Sequence, residues 1–80
     1  MSEKLAVVAI IVEDIEAVER VNSLLHDFGD HIIGRMGIPY KQKNVNVISI
    51  VIDAPIEVIN SLSGKLGMIK GVCSKVLTAK

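Results

Sequence analysis

Apolar residues fall into six stretches along the chain, and their spacing switches between a period of two and a period near four. Residues 5–12 are an unbroken apolar run, the pattern of a strand covered on both faces. Asp14 suits a helix N-cap, and Ile15, Val18, Val21, Leu25 and Phe28 follow at helical spacing until Gly29. Residues 31–40 predict a second strand. The polar residues 41–44 then make a hairpin-length turn into a third strand over 45–52. Asp53 is the expected cap of a second helix, with Pro55 in its first turn, where a missing N–H does no harm. Ile56, Ile59, Leu62 and Leu66 form that helix's apolar stripe, Gly67 marks its end, and residues 72–78 predict a last, more polar strand.

The order βαββαβ comprises two β–α–β units that bury their helices on a common sheet. It predicts an α+β, ferredoxin-like fold: a four-stranded antiparallel sheet with both helices on one face, as a single domain over residues 1–80. Strands one and three, the most apolar, belong at the centre, and strands two and four at the edges. Side chains alternate faces along a strand. In strand three Ile48, Ile50 and Ile52 share one face, and Val45, Val47 and Val51 share the other with Ser49. Two helices cover only one face. The other is left with on the order of several hundred Å² of contiguous apolar surface, which soluble monomers rarely expose. A homodimer or higher homo-oligomer is therefore expected, with Val45, Val47 and Val51 as interface candidates.

Composition narrows the class. Half of the 80 residues are hydrophobic, and Phe28 and Tyr40 are the only aromatics. Nine basic residues balance nine acidic ones, so there is no electrostatic footprint for direct nucleic-acid binding or an anionic membrane. A single cysteine, Cys73, excludes an internal disulfide and fits a reducing compartment. The run 5–12 is too short to span a bilayer, lacks a small-residue cleavage site and meets Glu13 and Asp14 directly. A cytoplasmic location is the expectation.

The segment HIIGRMGIPY, residues 31–40, comes nearest to a site. Gly34 and Gly37 interrupt a strand, which marks a bulge or the close approach of another backbone or a ligand. Arg35 lies between them as a directional anion donor, and Pro39 with Tyr40 points to an edge strand or strand end. A bulged edge strand with purely structural glycines and a ligand or partner groove are the two readings. His26, His31 and Cys73 are potential metal ligands, but Cys73 belongs on the opposite edge, three strand spacings or roughly 14 Å from His31. No metal or cofactor is expected. No P-loop surrounds Gly64–Lys65, no G-x-G-x-x-G follows a strand, and Ser49 has no evident base.

The motifs HIIGRMGIPY (31–40), NVNVISIVID (44–53) and SLSGKLGMIKGV (61–72) resemble the iron-only hydrogenase system regulator family, over about residues 4–79. The resemblance implies a fold similar to ACT domains and to the C-terminal domain of nickel-responsive regulators, oligomers that bind a small effector between protomers. In ACT domains the effector commonly sits by the loop after strand one, often with a glycine there, against a partner's second strand. Here that loop holds Glu13 and Asp14 and no glycine; the alternative role of Asp14 is helix capping alone. The His-x-His pair and the basic DNA-binding module of nickel-responsive regulators are both missing, so any role in transcription is indirect. The resulting expectation is a non-catalytic regulatory oligomer with Glu13, Asp14, Gly34, Arg35, Gly37 and Tyr40 as candidate ligand-binding residues for a small effector or protein partner. The alternative is a small dimeric enzyme with an edge-strand cleft at His31, Arg35 and Tyr40.

Overall fold

The structure is a computed structural model and describes residues 3–79. The elements are β1 (Lys4–Val12), α1 (Val18–Asp27), β2 (Ile32–Tyr40), β3 (Val45–Ala54), α2 (Ile56–Gly67) and β4 (Val72–Thr78). The strands form one antiparallel sheet in the order β2-β3-β1-β4, so the two most apolar strands are central, as a ferredoxin-like α+β fold requires. The central pair runs in register from Lys4 opposite Ala54 to Val12 opposite Asn46.

One sheet face makes the core. Ala6, Val8, Ile10 and Val12 of β1 and Ile48, Ile50, Ile52 and Ala54 of β3 are buried beneath the helices. Val21 and Leu25 of α1 and Ile59, Leu62 and Leu66 of α2 close over them. Among the described residues no polar or charged side chain is buried, so folding incurs no desolvation cost from unpaired polar groups there.

Several local expectations shift. A 3-10 turn over Ile15–Ala17 precedes α1, and the Asp14 carboxylate accepts from the Glu16 N–H at 3.0 Å. That tighter turn rotates Ile15 out to solvent and buries Ala17 instead. Asp53 does not cap α2. It stays in β3 opposite Leu5, because pairing continues to Ala54, and Pro55 occupies the cap position without a side-chain bond. Ile56, at the first position of α2, is exposed and not part of the buried stripe. A 3-10 turn over Gly29–His31 delays β2 by one residue, to Ile32.

The left-handed backbone positions lie elsewhere than the helix ends. Asn44 takes φ 56° at the end of the hairpin turn, and Gly71 takes φ 82° in the connection to β4. A Cβ on Gly71 would stand 2.4 Å from the Asp14 Cβ. The Gly71 carbonyl accepts from the Glu13 N–H at 2.7 Å. Gly71 thus fastens the α2–β4 connection onto the loop that launches α1, and only glycine satisfies both its φ and its clearance.

Candidate functional site

Strand parity divides the candidate residues. Gly34 pairs with Val51, Met36 with Ser49, Ile38 with Val47 and Tyr40 with Val45, which places these residues on the helix-free face. Arg35 pairs with Ile50, Gly37 with Ile48 and Pro39 with Asn46, which places them on the helix side. Gly34 and Gly37 therefore serve different faces. The pairing also slips by one residue between Ile32 and Gly34, so Ile33 is the bulged position. Among the described residues neither glycine meets a close backbone: nothing lies within 4 Å of a Cβ built on Gly34, and Gly37 would touch only the Ile48 side chain at 4.0 Å.

On the helix side, Arg35 reaches over the sheet edge to α1. Its guanidinium donates to Asn22 Oδ1 at 2.9 Å. Around this bond lies a groove of about 210 Å³ between α1 and β2, lined by Val18, Asn22, Arg35, Gly37, Ile38, Pro39, Asn46 and Ile48. Asn22, Asn46 and Val18 were not evident from the sequence. Asn46 becomes a neighbour only once pairing sets it opposite Pro39, and Val18 and Asn22 only through the packing of α1 along the sheet edge.

Glu13 and Asp14 are elsewhere. With Ile15 and Asn44 they line an open hollow of about 480 Å³ where β1 ends and the hairpin turns. The Asp14 carboxylate is already engaged by the Glu16 N–H. Tyr40 is at the same end of the sheet, on the open face, and its hydroxyl donates to Gln42 Oε1 at 2.7 Å. The six candidates thus occupy three places, not one. His31, Arg35 and Tyr40 likewise share no cleft. His31 and Tyr40 bracket a nine-residue strand, roughly 30 Å apart at about 3.3 Å per residue, and Arg35 faces the other way from Tyr40.

Cys73 is exposed on the open face of β4, opposite Ile11, while His31 lies at the far edge beside β2. Among the described residues no group of three or more His, Cys, Asp or Glu side chains is placed to hold a metal ion.

The helix-free face is the larger feature. Leu5, Val7, Ile11, Met36, Ile38, Tyr40, Val47 and Leu77 all lie on it, eight of the twelve large apolar side chains exposed in the described chain. Val45 and Val51 lie on it too, half-buried between neighbouring strands. It runs across all four strands without interruption by a helix.

This arrangement defines a small ferredoxin-like module with one finished and one unfinished sheet face. The sequence profile of the TM1266-like family, described as "Iron-only hydrogenase system regulator, putative", matches residues 4–76, and the chain belongs to that family. The structure of TM1266 from Thermotoga maritima superimposes with a TM-score of 0.94 at 35% identity, covering 99% of this chain and 100% of that one. A formyltetrahydrofolate deformylase from Pseudomonas putida KT2440 matches with a TM-score of 0.65 at 9% identity, over 91% of this chain and 28% of that one, which shows a shared fold alone. Among curated proteins no match is found. Membership in a family of regulators supports a regulatory role for the chain. Among the described residues, no helix is long and apolar enough to cross a membrane.

Proposed function

We propose that the chain is a non-catalytic regulatory module of an iron-only hydrogenase system that works as a homo-oligomer, with the open sheet face of one copy covered by that of another, and that it responds to a small effector or protein partner. The observation that supports this reading is the apolar face spanning all four strands. Its exposed side chains offer area on the order of the 800 Å² per partner that a standard interface uses. At about 25 cal/mol per Å², burying it supplies ample gross free energy to offset the cost of association. The face carries few charges, Lys75 and Asp53 lying toward its borders on β4 and at the end of β3, so a like surface meets it without burying a charge at its centre. A second copy is the partner always present at the same concentration. The family's description as regulators speaks for this reading over the enzyme, as does the separation of His31, Arg35 and Tyr40 within one copy.

Light scattering on the purified chain tests the assembly. The wild type is expected as a stable dimer or larger species at micromolar concentration. Val47→Lys and Val51→Lys each put a charge into the covered face and are expected to give monomer or aggregate. A wild type that elutes as a stable monomer rules out the oligomer, and unchanged oligomers of both variants rule out this face as its interface.

A further inference from the structure

We infer that the groove between α1 and the edge strand β2 is a binding site for a small carboxylate, with Arg35 as its anchor; this rests on the effector-binding half of the proposed function and gives that effector a chemical class. Among the described residues the groove holds one cation, Arg35, and no acidic side chain lines it. Its other polar side chains, Asn22 and Asn46, are amides. Because Asn22 Oδ1 already accepts from Arg35 at 2.9 Å, the rest of that amide is its NH₂ group, a donor. The bond also brings the guanidinium over the groove. Donors therefore exceed acceptors around a single positive charge. That balance fits an oxyanion, which the planar fork of arginine can meet with two parallel hydrogen bonds.

The remaining walls set the size. Val18, Pro39 and Ile48 are apolar, and a volume of about 210 Å³ suits a metabolite smaller than the drug-sized ligands that fill roughly 300–1,000 Å³. Gly37 opens the floor: a Cβ there would reach only ordinary contact with Ile48 at 4.0 Å, so a larger side chain would occupy the groove without breaking the strand. A carboxylate on a short hydrocarbon chain satisfies both halves of the lining. The site lies on the helix side of the sheet, opposite the proposed interface, and is complete within one copy.

Nuclear magnetic resonance titration of the isotope-labelled full chain with sodium butyrate, butyramide and inorganic phosphate tests this. Butyrate is expected to shift the Asn22 and Asn46 side-chain amides and the Gly37 backbone amide saturably. Butyramide, the neutral counterpart, is expected to leave them unmoved, and phosphate to bind at least tenfold more weakly. Arg35→Ala is expected to weaken butyrate at least tenfold, and Gly37→Val to abolish its response while the spectrum stays folded. Equal shifts from butyramide, or a full response in Arg35→Ala, overturn the site, and phosphate binding as tightly as butyrate overturns the choice of carboxylate. Val47→Lys or Val51→Lys, on the other face, is expected to keep the butyrate response in whichever variant stays soluble. Loss of the response in a soluble, folded variant overturns a site complete in one copy, so the groove and the interface stand or fall separately.

Discussion

Val47 and Ile48 are neighbours on one central strand, alike in chemistry, and opposite in fate. Ile48 is 4% exposed beneath the helices, and Val47 is 39% exposed on the bare side of the sheet. The same contrast holds along β1, where Ala6, Val8, Ile10 and Val12 are buried and Leu5, Val7 and Ile11 are exposed. Both faces are built from aliphatic residues, so hydropathy does not distinguish them. What differs is the cover. One face is closed by side chains of α1 and α2 in the same chain, and its burial supports the fold. Among the described residues nothing closes the other, and its apolar surface is exposed in a single copy.

The widest expected gap lies between lysine on one face and lysine on the other. Ile48→Lys places an ammonium among aliphatic side chains with no acidic residue buried nearby, a cost of several kcal/mol against the marginal stability of a small domain. Circular dichroism is expected to show a chain unfolded or nearly so at 25 °C. Val47→Lys, one residue away, is expected to keep its secondary structure. Equal melting of the two variants would show that both faces are equally buried in the native assembly and that the contrast belongs to the isolated chain.

A smaller effect is expected where the cover is fastened. Gly71 holds the α2–β4 connection against the β1–α1 loop, at φ 82° and with the Asp14 Cβ where its own Cβ would go. Gly71→Ala combines left-handed strain with a steric clash and is expected to cost about 2–3 kcal/mol. In a domain of this size that lowers Tm by roughly 10–20 °C. An unchanged Tm would mean the two loops separate freely and that the helices are held over the sheet by core packing alone.

Much of this was legible in the sequence, for identifiable reasons. The period of two along β3 separated Ile48, Ile50 and Ile52 from Val45, Val47 and Val51 without saying which set is covered, and the apolar density of residues 5–12 and 45–52 announced the central strands, because such density answers directly to burial. The helix boundaries were less visible. Asp53 has the chemistry of a cap, yet its place is decided by a ladder that extends to Ala54, a long-range pairing that local chemistry does not encode. Gly71 was overlooked for the same reason: its role depends on Asp14, 57 positions away, and not on its immediate neighbours. The candidate site was the least legible. Gly34, Arg35 and Gly37 are close in sequence, but their alternation sends Gly34 to one face and the other two to the opposite one. Asn22 joined Arg35 only through the packing of α1 along the sheet edge.

The smallest expected effect on stability belongs to Arg35. It lies on the helix side, yet it is exposed, and its one side-chain hydrogen bond among the described residues, to Asn22, is exposed as well. An exposed hydrogen bond exchanges readily with water, so its net contribution is small. Arg35→Ala is therefore expected to change folding free energy by no more than about 0.5 kcal/mol, a Tm shift of a few degrees at most. Placed beside Ile48→Lys, it separates two meanings of being on the covered side: under the helices, or merely facing the same way past their edge. Thermal melting in the absence of any carboxylate is the measurement. A loss of 10 °C or more would make Arg35 a strut between α1 and β2, and the covered face would then extend to the sheet's edge. A small shift leaves the guanidinium free of structural duty, as a residue placed there to bind would be.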